Sequence, residues 1–207
     1  MATRTRKKKH KHTNKQIIIY CEGFTEKHYF DMLKSKYSRS NITVKTESLG
    51  LTNQELVEKV IEKKKRNKSD LTIIVFDYDD NPVNKIEKSF KLARENNIEI
   101  WYSNKCFEVW LLLHFQNLKD QNLKINAVIS NLEKYTEVEN WKDYKNEKFE
   151  DLKEYFIDNV NLAYENANIT LQGDGDICHD YSPFNIQKYP YTNIHFNLKK
   201  IFNVNKL

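Results

Sequence analysis

The stretch from Leu71 to Asp80, LTIIVFDYDD, limits the fold of this chain more than any other. Leu71, Ile73, Ile74, Val75 and Phe76 form a near-continuous apolar run with one Thr inside it, the pattern of a strand buried on both faces. Such a strand belongs in the middle of a parallel sheet, where crossover helices cover both sides. The run ends in Asp77, Asp79 and Asp80, and open α/β sheets gather ligands at the carboxyl ends of their strands. If the chain stays extended there, Asp77 and Asp79 point to the same side, and two like charges that close repel unless a cation or proton intervenes. A divalent metal removes the conflict. Asp80 has a second reading, because Asn81-Pro82 is an N-cap followed by a first-turn proline, which sets Asp80 at the positive end of a helix.

A second buried strand is expected at Gln16 to Cys21, QIIIYC, which breaks into Glu22-Gly23-Phe24-Thr25-Glu26. Gly23 permits a tight turn, Thr25 can cap, and Tyr29, Phe30, Leu33 and Tyr37 recur at helical spacing. Glu22 therefore stands at the end of one strand as Asp77 does at another. Glu26 falls in the first helical turn, where the helix dipole alone is reason for an acidic residue.

ITVKTE (42 to 47) alternates like a more exposed strand, and a helix with Leu56, Val60 and Ile61 inward follows from Asn53 to Lys65. Its Lys-rich side reads as a solvated surface or a nucleic-acid contact. Val83, Ile86, Phe90 and Ala93 mark another helix, and IEIWY (98 to 102) another strand. After Ser103-Asn104-Lys105 comes CFEVWLLLHF, dense enough in apolar residues for a buried helix. Glu108 inside it needs a partner, since an unpaired buried charge is costly; an ion pair with Lys105 and a place near the strand-end carboxylates are both open. His114 reads as a packed or surface histidine.

Residues 15 to 118 thus spell strand-helix four times, which predicts an α/β domain with a sheet of about four mainly parallel strands flanked by helices. Residues 119 to 207 are expected to form a helical extension: a short helix at Ile125 to Leu132, one longer helix through Phe149, Phe156, Val160 and Tyr164, and a last helix capped by Thr192. The loop QGDGDICHDYSP offers Asp174 and Asp176, but His179 and Asn185 stand where an EF-hand needs Gly and Glu.

Lysine and arginine exceed acidic residues by five, yet Arg4, Arg6, Lys7, Lys8, Lys9 and Lys11 account for that excess. Residues 1 to 14 form a basic arm suited to a phosphate backbone or to solubility, and the rest of the chain is nearly neutral. Three widely spaced cysteines argue against a disulfide framework, and no run approaches the ~20 apolar residues of a membrane span. A cytoplasmic protein without a membrane partner is expected.

Glu22, Asp77, Asp79 and Asp80 offer oxygen donors only, a set that suits Mg²⁺ or Mn²⁺ rather than Zn²⁺. Ions so held support phosphoryl transfer. The glycine-rich ATP loop, the nucleophile elbow and the dinucleotide fingerprint are all missing.

IIIYCEGFTEKHYF (17 to 30), VFDYDD (75 to 80), YSNKCFEVWLLLHF (102 to 115) and PYTNIHFNL (190 to 198) resemble the successive blocks of RloB-like proteins. That family is TOPRIM-like, so the resemblance implies a TOPRIM-like sheet with Glu22, Asp77 and Asp79 as metal-binding and catalytic residues. It adds Glu26, matching the second acidic residue of the nuclease branch, as a further metal ligand, and Lys105 as the candidate lysine near the scissile phosphate. It further implies a phage-defence nuclease acting on DNA or RNA, an ABC-type ATPase partner, and leaves a homo-oligomer open. The competing reading is a non-catalytic module that binds nucleic acid or the ATPase, with the carboxylates only capping helices and balancing charge.

Overall fold

Residues 17 to 21 and 72 to 76 are buried without interruption, as their apolar runs require, and they lie in neighbouring strands of one sheet. The computed structural model describes residues 14–78, 82–143, 149–171 and 190–204. The basic arm up to residue 13, Asp79, Asp80 and the loop QGDGDICHDYSP lie outside the described residues.

The chain runs β1 (Lys15–Cys21), α1 (Phe24–Tyr37), β2 (Ile42–Ser48), α2 (Asn53–Arg66), β3 (Leu71–Asp77), α3 (Val83–Glu95), β4 (Glu99–Asn104) and α4 (Glu108–Leu112). It continues with α5 (Ile125–Thr136), α6 (Phe149–Ile157), α7 (Val160–Leu171), β5 (Tyr191–Thr192) and α8 (Ile194–Ile201). The strands form a five-stranded sheet in the order β2-β1-β3-β4-β5, so β3 is its middle strand. β1, β2, β3 and β4 are parallel, and β5 joins antiparallel to β4. The α/β class and the mainly parallel sheet are those expected.

Alternation along the strands sends side chains into two cores. Ile17, Ile19, Ile73, Val75 and Trp101 meet Tyr29, Phe30 and Leu33 of α1 and the C-terminal helices on one face. Ile18, Tyr20, Ile74, Phe76 and Ile100 meet Leu56, Val57, Val60, Ile86 and Phe90 of α2 and α3 on the other. The first core centres on Tyr29, whose ring contacts Phe30, Phe107, Trp110 and His114 with centroids 5.5 to 6.2 Å apart, all near edge-on. His114 is wholly buried there. Its Nδ1 faces the carbonyls of Trp110 (3.1 Å) and Leu111 (3.2 Å), which only accept, so Nδ1 carries the proton and Nε2 accepts the Tyr29 hydroxyl at 3.0 Å. Burial holds this imidazole neutral, with its pKa lowered to about 3.

Three departures from expectation have local causes. β4 extends through Ser103 and Asn104, polar residues that pair with Thr192 and Tyr191 and are nearly inaccessible. Thr192 therefore lies in a strand, and Asn193 is the residue that precedes α8. Asn193 finishes the edge of β4 with its side chain: Oδ1 accepts the Tyr102 N–H at 2.8 Å, and Nδ2 donates to the Ile100 carbonyl at 3.1 Å. The single long helix expected from Phe149 to Tyr164 is two helices, α6 and α7, broken at Asp158-Asn159. Asp and Asn favour helix starts over interiors, and the Asn159 carbonyl accepts the first bond of α7 from Ala163 at 2.9 Å. Among the described residues no helix is long and apolar enough to cross a membrane.

Asp31 ties α1 to the sheet. Its carboxylate takes Lys27 at 2.7 Å, Lys34 at 2.5 Å and the Thr46 hydroxyl of β2 at 2.5 Å. Burial pushes its pKa up, but these bonds outweigh it and hold the group at about 2. Because the folded value lies below the unfolded one, the stabilisation is present above about pH 4 and is lost as pH falls towards 2. The carboxylate is a quarter exposed, so Asp31→Asn is expected to cost only about 1 kcal/mol in urea unfolding at pH 7. Below pH 3 the difference from the parent should fade.

Candidate metal centre at the strand ends

From the β1/β3 pair the chain departs in opposite directions. β1 leads through α1 to β2 on one side, while β3 leads through α3 to β4 on the other, and α1 and α3 cover opposite faces. Such a divergence opens a crevice at the carboxyl ends of the two strands. Glu22 and Asp77 stand at those ends. Cys21 is paired with Val75, and the Glu22 N–H donates to the Val75 carbonyl at 3.1 Å, so Glu22 sits beside β3 one residue short of Asp77. Adjacent strands lie about 4.8 Å apart, which sets the backbones of the two residues at neighbouring strand ends on the same edge of the sheet. Each residue is partly exposed, while Oε2 of Glu22 and Oδ1 of Asp77 are turned away from solvent.

The turn carrying Glu22 is fixed from three sides. Its carbonyl accepts the Gly50 N–H at 2.9 Å, and the next residue, Gly23, donates its N–H to Oε2 of Glu26 at 3.1 Å. Glu26 thus makes the reaching-back half of a capping box at the start of α1, Gly23 having no side chain to complete it, and it is buried. A Cβ on Gly23 would come within 2.9 Å of that same Oε2. Gly23→Ala is therefore expected to push the Glu26 carboxylate off the turn and cost about 1 kcal/mol, read as a lowered melting temperature. If Glu22 is a functional ligand, activity should fall further than stability does.

On the β4 side, Asp77 is paired with Ser103, and the Tyr78 N–H donates to the Ser103 carbonyl at 3.0 Å. Lys105 follows the end of β4 and is partly exposed. Glu108, in the first turn of α4, is buried and its Oε1 accepts the indole N–H of Trp141 at 3.2 Å. That partner lies 33 residues away and carries no sequence signal. Cys106 lies between Glu108 and Asp77: burial first, then the negative charges of Glu108 and Asp77, push its thiol pKa far up. Cys21 is raised likewise, by burial and then by Glu26 and Asp31. Neither thiol is a thiolate nucleophile.

Among the described residues no three His, Cys, Asp or Glu side chains come together as a metal-binding group. Glu22 and Asp77 contribute one carboxylate each, and Asp79 and Asp80 lie outside the described residues. The pair suits Mg²⁺, which keeps several waters and is commonly held by one or two carboxylates plus substrate phosphate.

A family model described as RloB-like protein matches residues 17–201. Comparison with curated proteins and with solved structures returned no match.

Proposed function

The chain belongs to the RloB-like protein family, and on that premise we propose that it is a divalent-metal-dependent nuclease that hydrolyses phosphodiester bonds. The observation that supports the reading is that Glu22 and Asp77 both stand at the carboxyl ends of the two adjacent strands where the crossovers diverge. Bound there, Mg²⁺ or Mn²⁺ would activate a water and offset charge on the phosphodiester. Glu22 and Asp77, with Asp79, hold the ion in this reading. Glu26 keeps the Gly23 turn in place so that Glu22 is presented to the crevice, and Lys105 meets the scissile phosphate from the end of β4. Glu108, engaged by Trp141, shapes the floor beside Cys106. An ABC-type ATPase as partner and a role in phage defence follow from the family resemblance and are part of the proposal.

The test is cleavage of plasmid, single-stranded DNA and tRNA with Mg²⁺ or Mn²⁺, with the chain alone and together with an ABC-type ATPase encoded beside it. Cleavage that survives Asp77→Ala unchanged would overturn the mechanism.

A further inference from the structure

Phe24 is the most exposed large apolar side chain among the described residues, at 60%, whereas Leu162, Tyr135 and Tyr155 lie at 36 to 40%. A lone exposed aromatic is ordinary on a protein surface; its address here is not. Phe24 is the first residue of α1, two positions after Glu22 and two before Glu26, on the same edge of the sheet as the proposed metal centre. One turn along the helix His28 lies against it, the ring centroids 6.1 Å apart and the planes tilted by 34°. The backbone beneath is held by the Glu26 to Gly23 bond, so the ring projects from a fixed turn.

We propose that Phe24, backed by His28, is a stacking platform for an unpaired nucleobase next to the cleaved phosphate, and that the substrate is single-stranded or locally unpaired nucleic acid. The assignment rests on the nuclease reading of the same site. An aromatic face accepts any base, because every base has a π-face, and it adds affinity without sequence choice. In a duplex the bases already stack on their neighbours, so a surface ring gains a partner only where a base is splayed out, as in loops, ends and single strands. A platform at the mouth of the crevice would hold the nucleotide beside the scissile bond while the carboxylates act on the backbone.

The experiment uses the full chain with Ca²⁺ in place of Mg²⁺, fluorescein-labelled single-stranded DNA, single-stranded RNA, an RNA hairpin and a matched DNA duplex. In a second set 2-aminopurine reports stacking. Phe24→Ala is expected to weaken binding of the single strands and the hairpin roughly five- to a hundredfold, to leave duplex binding within about twofold, and to abolish the 2-aminopurine quenching. Phe24→Trp should restore both. The relative affinity for DNA and RNA names the source of the unpaired base. The inference is overturned if Phe24→Ala binds single strands like the parent, if duplex binding falls equally, or if the parent binds none of the probes, which would point to a protein partner covering the ring. Asp77→Ala keeps the two readings apart. Phe24-dependent binding without any Asp77-dependent cleavage sinks the nuclease and leaves the platform, while Asp77-dependent cleavage indifferent to Phe24 does the reverse.

Discussion

Asp77→Asn is expected to lower metal-dependent cleavage by roughly a thousandfold, a loss of about 4 kcal/mol in transition-state stabilisation, while leaving the fold intact. Asp77 is the last residue of β3, is partly exposed, and is paired through its backbone with Ser103 of β4. The amide keeps size and shape but removes one negative charge from the edge of the sheet where Glu22 also stands, so the metal-free variant should melt no lower than the parent. Magnesium separates the two proteins. A ligand present at ten times its dissociation constant stabilises a fold by ~1.4 kcal/mol, which for a chain of this size raises the melting temperature by about 3 to 5 °C. The parent should show that rise in Mg²⁺ and Asp77→Asn should lack it, with Glu22→Gln behaving alike. A parent whose melting is indifferent to Mg²⁺ and Mn²⁺ up to 10 mM would favour the non-catalytic module.

Mild acid is expected to weaken the fold through His114. The folded pKa of about 3 lies below the ordinary value of 6.5, so between those limits the unfolded chain binds the extra proton and stability rises with pH. From pH 6.5 to 4.5 the cost is about 2 kcal/mol, the slope rising to 1.36 kcal/mol per unit as the unfolded imidazole becomes fully protonated. His114→Phe removes the titration and should flatten that stretch of the profile. It should also cost about 1 to 3 kcal/mol at pH 7.5, since the buried Tyr29 hydroxyl loses its acceptor. Adding Tyr29→Phe should recover part of that loss without restoring the pH slope. Urea unfolding across pH 4.5 to 7.5 reads all of this; an unaltered slope in His114→Phe would mean that carboxylates alone govern acid sensitivity. Asp31 acts lower, below about pH 4, and does not mask the effect.

β1 and β3 were legible because their apolar runs are short, rich in β-branched residues and bounded by turn signals, which suits a strand buried on both faces better than a buried helix such as α4. The strand-end carboxylates could be named for the same reason: chain reversal must follow, and Glu22 and Asp77 come next. What no local pattern encoded was the order of the strands, and it is that order that sets Glu22 beside β3. Ser103, Asn104 and Thr192 read as loop and cap because their strand character comes from partners across the sheet, Asp77 on one side of β4 and Tyr191 and Thr192 on the other. Glu108 reads in the sequence as a buried charge in need of a partner, but nothing local points to Trp141, since an indole answers a carboxylate from any distance in sequence. His114 likewise looks the same in a sequence whether it titrates on a surface or is shut inside a cage of rings.

The last strand has a consequence for how the chain is made. Tyr102 and Ser103 find their edge partners 89 to 91 residues downstream, at Thr192 and Asn193. At 5 to 20 residues per second a ribosome needs roughly 5 to 18 seconds to deliver them. Throughout that interval the nascent chain carries an open strand edge one position from Asp77's neighbour, a template for pairing with other chains. Completion of the sheet thus waits until the whole segment from β4 to β5 has been synthesised.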